Sequence, residues 1–290
     1  MCAEAIEYVL QVIGGDLQYN TERNRALTPQ QQLLTALNWL GNGARYHGVA
    51  DKHGLHKSTV QRCVQNVCQK IVTKLFPEEI RWRTGEASLP QQFMAVAGFP
   101  RVSGCIDGSL ILIDNPKLND KAYVNRNGDH SINPGSTHDS RVMKRSLFTQ
   151  WDQNHWRPVP GALLLGDSDY PLLSWLMTPV VQAGANAVGS QRYLRRHKTT
   201  RRLIECAFGQ VKLKFQCLNY FRRKPEVASE IILARVTLHS IQKRLGSEEW
   251  ELDADNGINE SDGEEDDDVP PETVQGKDVH SSLVRMFAAE

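Results

Sequence analysis

The sequence predicts a mixed α/β protein with an all-helical N-terminal region and a charged C-terminal tail. Three observations carry this. Apolar residues recur at helical spacing through residues 28–76. Two apolar runs, residues 102–113 and 162–165, read as strands and contain or end at aspartate beside glycine. Two amphipathic stretches, residues 199–215 and 226–245, read as helices.

The elements follow in order. Ile6, Val9, Leu10 and Ile13 give residues 1–27 a short helix and a polar link. Thr28-Pro29 is a helix start, with Thr28 as cap and Pro29 in the first turn. Leu33, Leu34, Leu37 and Leu40 continue that helix until Gly41-Asn42-Gly43 ends it. A short helix from Tyr46 to His53 runs into Gly54. Ser58 or His56 caps the next, which turns Val60, Cys63, Val64, Val67, Cys68, Ile71 and Leu75 to one face. Short helix, glycine turn and longer helix form a helix-turn-helix layout over residues 28–76. Lys57, Thr59, Gln61, Arg62 and Gln65 occupy its polar face, and such side chains contact phosphates or base edges. The alternative is a solvated helix face.

Residues 77–99 form a polar connector ending in a short helix at residues 91–97. Residues 100–245 form the α/β region. Residues 102–113 read as one strand interrupted at Gly108. Residues 162–165 are apolar at every position, as in a strand buried on both faces. Between Asp114 and Pro160 no run qualifies as a strand. In the first amphipathic helix Leu203, Ile204, Ala207, Phe208, Val211 and Phe215 would face inward. Residues 246–290 form an acidic tail, expected to be disordered apart from a short helix or binding segment near residues 281–287.

Composition narrows the class. No stretch approaches the roughly 18 apolar residues of a membrane span. The acidic N-terminus lacks the basic start and apolar core of a secretory signal. Six cysteines without a C-x-x-C pair then read as reduced thiols and argue against structural zinc. The zero net charge is a cancellation. Between Gln191 and Arg244 fourteen basic residues meet three acidic ones, whereas from Glu248 to Glu272 thirteen acids meet no base. The basic block suits a polyanion such as DNA, with a helix face neutralised by the tail as the plainer reading.

Three carboxylates concentrate the chemistry. Asp107 lies in Gly104-Cys105-Ile106-Asp107-Gly108, Asp167 follows the run ending Leu165-Gly166, and Glu205 lies in Arg201-Arg202-Leu203-Ile204-Glu205-Cys206. Brought together, they would form an oxygen-rich site for Mg²⁺ or Mn²⁺. Ordinary strand-end and turn residues are the alternative.

Further segments carry a resemblance. They are Tyr123-Val124-Asn125-Arg126, Pro134-Gly135-Ser136-Thr137-His138-Asp139-Ser140, Gly166-Asp167-Ser168-Asp169-Tyr170-Pro171, Trp175-Leu176-Met177-Thr178-Pro179 and Thr200-Arg201-Arg202-Leu203-Ile204-Glu205-Cys206-Ala207-Phe208-Gly209-Gln210. Their order resembles the DDE domain of the PIF/Harbinger transposases, especially its animal transposase-derived nuclease branch, over residues 28–245. The resemblance implies a ribonuclease-H-like nuclease core and a divalent metal cation, Mg²⁺ or Mn²⁺. Asp107, Asp167 and Glu205 would be catalytic, and Asp107, Asp139, Asp167 and Glu205 metal-binding. It also implies a DNA substrate, a Myb-like DNA-binding protein partner and a nuclear location, the cytoplasm remaining open. Arg201, Arg202, Lys212 and Lys214 join Lys57, Thr59, Gln61 and Arg62 as candidate DNA contacts, with an Arg201–Glu205 pair one helical turn apart as the alternative for Arg201. Family members carry two further antiparallel strands between the segments matching His130-Ser131-Ile132-Asn133 and Pro134-Gly135-Ser136. Here those segments abut, a gap of roughly 18 residues, or two strands with their turns. The core is therefore expected to lack two central strands, so a truncated or inactive binding protein stays open beside the nuclease.

Overall fold

The computed structural model describes residues 1–20, 26–43, 45–82, 85–116, 123–124, 128, 130–132, 159–179, 188–215, 218, 224–246 and 272–289. It divides into two compact units, each discontinuous in sequence. The first comprises Met1–Arg81, Leu110–Pro134 and Gly209–Glu251, the second Trp82–Ser109, Gly135–Phe208 and Leu252–Glu290. No helix among the described residues is long and apolar enough to cross a membrane.

The first unit is built on helices α1 (Ala3–Leu17), α2 (Pro29–Asn42), α3 (Tyr46–His53), α4 (Lys57–Lys70) and α5 (Phe76–Glu79). In α1, Ala5, Val9, Ile13 and Leu17 recur every fourth residue and are all buried. The start of α2 is a capping box. The Thr28 hydroxyl accepts from the Gln31 amide at 3.2 Å, and the Gln31 side chain accepts from the Thr28 amide at 3.0 Å. Gly43, at φ 61°, closes α2 in a left-handed conformation that favours glycine. His56 caps α4, its Nδ1 accepting from the Ser58 amide at 3.3 Å. All seven expected apolar positions from Val60 to Leu75 are buried. A π-helical turn, Ile71–Leu75, joins α4 to α5.

The last helix of this unit, which we number α8 (Pro225–Leu245), adds Ala228, Ile231, Ala234, Leu238 and Ile241 to the same core. Arg235 is fully buried there. Its Nη2 donates to the Leu40 carbonyl at 2.9 Å, and its guanidinium stacks over Trp39 and Phe215. It therefore does not belong to the basic surface expected for residues 191–244.

Two-residue strands β2 (Ile111–Leu112) and β3 (Ser131–Ile132) pair antiparallel in the first unit, with Ile111 and Ile113 in its core. This corrects two expectations. Residues 102–113 are not one interrupted strand, because β1 (Val102–Cys105) belongs to the second unit and residues 107–110 leave the ladder. The Asp107 carboxylate accepts from the Gly108 amide at 2.9 Å, a local bond that replaces a ladder bond and turns the chain. Residues 114–160 do hold a strand, β3, too short to register as a run of four.

The second unit contains a three-stranded parallel sheet in the order β1, β4 (Leu163–Leu165), β5 (Leu176–Met177). β4 is buried at all three positions. Leu163 and Leu165 join Phe99, Val102, Met177 and Tyr193 on one face, while Leu164 joins Ile106, Tyr170, Trp175 and Leu176 on the other. Apolar cover on both faces is what a central parallel strand needs. Helix α6 (Leu89–Ala97), which begins two residues before its expected start, leads into β1.

Helix α7 (Val188–Lys214) begins well before the expected residue 199. Its buried side chains are Tyr193, His197 and Thr200, whereas Leu203, Ile204, Ala207, Phe208 and Val211 are only half-buried. Docking is polar as well as apolar. The Tyr193 hydroxyl donates to the Thr178 carbonyl at 2.9 Å, and His197 Nε2 lies 3.1 Å from the Met177 carbonyl.

Residues 272–289 correct the expected disordered tail. Helix α9 (Val274–Ala289) buries Gly276, His280, Leu283 and Phe287, a helical series that packs on Phe99 and Tyr193. The acidity of the preceding stretch outweighs those four positions when the tail is judged by composition. Residues 247–271 lie outside the described residues.

Candidate active site

The parallel register of β1 and β4 builds one edge of the site. Cys105 pairs with Leu165, and the Ile106 amide donates to the Leu165 carbonyl at 2.8 Å. Asp107 and Asp167 each follow two residues after those partners, so both emerge at the carboxyl ends of adjacent parallel strands. Such ends are where open α/β sheets hold ligands. Asp107 lies just beyond its strand rather than on it, as expected for Asp167.

Local bonds orient both carboxylates. One oxygen of Asp107 accepts from Gly108, and Asp167 Oδ1 accepts from the Asp169 amide at 2.9 Å. Gly166 admits this turn because a Cβ there would stand 2.9 Å from the Tyr170 ring. Gly104 meets a similar limit in β1, where a Cβ would come 3.2 Å from Leu164 and 3.4 Å from Trp82.

Helix α7 supplies Glu205 and, one turn earlier, Arg201. The Arg201 guanidinium pairs with Glu205 and reaches Asp107 Oδ2 at 3.6 Å, so it bridges a helical and a strand-end carboxylate. The Arg201 and Asp107 side chains are 14% and 15% exposed and Glu205 33%, so this bridge is shielded more than an ordinary surface pair. The helix is held at this height by His197, by Tyr193 and by Thr200, whose carbonyl accepts from Cys105 Sγ at 3.6 Å. Burial pushes the Cys105 thiol up to about 12; Arg201 opposes the rise, while Asp107 and Glu205 add to it. Cys105 is thus a thiol donor, not a thiolate ligand.

Of the expected metal residues, Asp107, Asp167 and Glu205 lie in one unit, with Asp107 and Glu205 linked through Arg201. Asp139 lies outside the described residues. Among the described residues no three His, Cys, Asp or Glu side chains gather closely enough to hold a metal ion. Hard carboxylate oxygens on adjacent strand ends fit Mg²⁺ or Mn²⁺ by donor type.

The candidate DNA contacts divide. Lys57, Gln61 and Arg62 are exposed on α4 and Thr59 is half-buried, all in the first unit. Arg202 is half-buried on α7 in the second unit, and Lys212 and Lys214 are half-buried on the end of α7 that belongs to the first. Arg201 faces the carboxylates. Sequence reasoning missed its bond to Asp107, and it missed Tyr193, His197 and Thr200 as the docking face of α7. Their spacing of four and three residues is the signal that was there to find.

Comparison with known proteins identifies the family. Residues 132–240 match the family described as DDE superfamily endonuclease, a span that includes Asp139, Asp167 and Glu205 but not Asp107. The Homo sapiens protein named "Putative nuclease HARBI1" is 32% identical over 271 aligned positions, covering 84% of this chain and 76% of that protein. Its Mus musculus counterpart is 31% identical over 308 positions, covering 98% and 83%. The Arabidopsis thaliana protein named "Protein ALP1-like" is 20% identical, covering 82% and 68%. No solved structure matches the chain. A helix-rich α/β chain with a parallel sheet, a DDE endonuclease match and these relatives belongs to the Harbinger-derived HARBI1 nuclease family.

Proposed function

We propose that this protein is a divalent-metal-dependent endonuclease that hydrolyses DNA phosphodiesters from a ribonuclease-H-like core. The observation that carries the reading is the emergence of Asp107 and Asp167 at neighbouring parallel strand ends, with Glu205 tied to Asp107 through Arg201. Asp107, Asp167 and Glu205, together with Asp139, would hold Mg²⁺ or Mn²⁺. Two such ions, when bound, supply an activated water and a charge partner for the leaving 3′-oxygen. The chain's own part is to fix the carboxylates. Gly108 and the Asp169 amide each hold one carboxylate oxygen, and His197, Tyr193 and Thr200 hold α7 against the sheet.

DNA would be met by the helix-turn-helix layout of α3 and α4, through Lys57, Gln61 and Arg62 with Thr59, and by Arg202, Lys212 and Lys214 of α7. A nuclear location and a Myb-like DNA-binding partner complete the proposal. One observation favours a second reading, a DNA- or protein-binding protein without catalysis. The 308 positions aligned with the mouse relative outnumber this chain's 290 residues, so that relative has residues within the aligned span that this chain lacks. Among the described residues β1 pairs only with β4.

Supercoiled plasmid incubated with purified protein and Mn²⁺ separates the readings. Nicking by the wild type that falls at least about 100-fold in Asp167→Asn supports the nuclease, since small misplacements of such groups cost that much. Nicking by both proteins alike removes the assigned site, and nicking by neither leaves the binding reading.

A further inference from the structure

Arg201 stands where a cation is wanted. One guanidinium nitrogen contacts Glu205 and another lies 3.6 Å from Asp107, and the Arg201 and Asp107 side chains are each about one-seventh exposed. Two carboxylates held close in a shielded place repel one another unless a positive charge lies between them. The fold supplies that charge from its own chain. Arg201 and Glu205 share a face of α7 one turn apart, and the docking of Thr200 against Cys105 brings that face to the end of β1.

From this geometry we infer that Arg201 is an internal counter-ion that holds Asp107 and Glu205 in register while no metal is bound and competes with a divalent cation for their oxygens. This rests on the metal-site reading above. The same oxygens serve both partners, because Asp107 Oδ2 and Glu205 Oε1 both pair with the guanidinium and Asp107 Oδ1 is already committed to Gly108. Arg201 must therefore draw back from the carboxylates before they accept Mg²⁺ or Mn²⁺. A guanidinium drawn back from two carboxylates becomes a donor for a phosphate, whose geometry it matches equally well. Metal occupancy and phosphate capture are coupled through one side chain. A purely positioning role makes the opposite prediction, that loss of Arg201 loosens Glu205 and weakens metal binding.

The test is direct binding of Mn²⁺ to metal-stripped full-length protein, followed by calorimetry or by the electron paramagnetic resonance of free Mn²⁺, with no DNA present. Arg201→Gln should bind Mn²⁺ about tenfold more tightly than the wild type, since it removes the competing charge from both carboxylates. Arg201→Lys, which keeps a charge, should bind nearly as the wild type does. If Arg201→Gln melts at a lower temperature, the comparison is read as the rise in melting temperature on adding Mn²⁺. A larger rise than in the wild type supports the inference. Equal or weaker Mn²⁺ binding by Arg201→Gln, with wild-type binding abolished by Asp167→Asn, overturns the counter-ion while leaving the metal site standing. No Mn²⁺ binding by the wild type or by Arg201→Gln overturns both.

Discussion

His197 carries an imidazole that must stay neutral. Burial lowers its pKa to about 4, against a smaller opposing effect of its bond to the Met177 carbonyl, and Arg201 and His280 add to the lowering. The folded pKa lies below the ordinary value of 6.5, so the contribution of His197 to stability is complete above pH 6.5 and is lost as pH falls toward 4. His197→Gln keeps an amide near Met177 but cannot take up a proton. The wild type should lose unfolding free energy more steeply between pH 6.5 and about 4 than this variant, as measured by urea midpoints across that window. Equal slopes would move the acid sensitivity to another group. Arg235 shows a different solution to burial, with a permanent charge met by the Leu40 and Phe215 carbonyls and two aromatic faces. Its sequence position, in a basic block, suggests a surface residue. Only the packing of α2 and α8 reveals that it is not one.

Among the elements, α7 and α9 decide the site. The strand ends set Asp107 and Asp167 on neighbouring parallel strands, and α7 links Glu205 to Asp107 through Arg201. Helix α9 closes the same core, with the Phe287 ring 5.6 Å from Phe99 and 6.2 Å from Tyr193, and Arg196 over its face at 4.8 Å. Phe287→Ala should cost about 3 kcal/mol, the low end for a fully buried phenylalanine, because a terminal helix can relax around the gap. A thermal or urea unfolding curve reads this directly, and an unchanged midpoint would mean that α9 does not dock in solution. The helical elements of residues 28–76 were legible in sequence because local signals agreed, most fully in α2, where cap, period and stop coincide at Thr28, Leu33, Leu40 and Gly43. The start of α7 was not, since Tyr193 and His197 read as isolated aromatics in a basic stretch until β5 is there to receive them.

Taken whole, the molecule separates its charge along the chain, basic through α7 and α8 and acidic after them, so its zero net charge conceals two strong fields. If α4 and α7 meet DNA as proposed, binding should persist without metal and weaken steeply with salt. Each phosphate neutralised adds about −0.9 to the slope of log affinity against log salt. Gel shifts from low to physiological salt measure that slope, and no shift at low salt would remove DNA as the partner. If the residues present in the mouse relative and absent here form strands of the sheet, their loss would keep the carboxylates and cost the rigidity that aligns them.

The sequence by itself determined the class of the protein, the helices of its first 76 residues and the buried strand before Asp167, and it singled out Asp107, Asp167 and Glu205 as candidates. Each of these rests on local chemistry: helical period, capping, apolar runs and the chemistry of oxygen donors. Tertiary structure alone decided that residues 102–113 serve two separate sheets, that the end of the chain forms a packed helix, and that Arg201 lies between Asp107 and Glu205. Those outcomes depend on which distant residues arrive to share a face, and no pattern within a single segment carries that information.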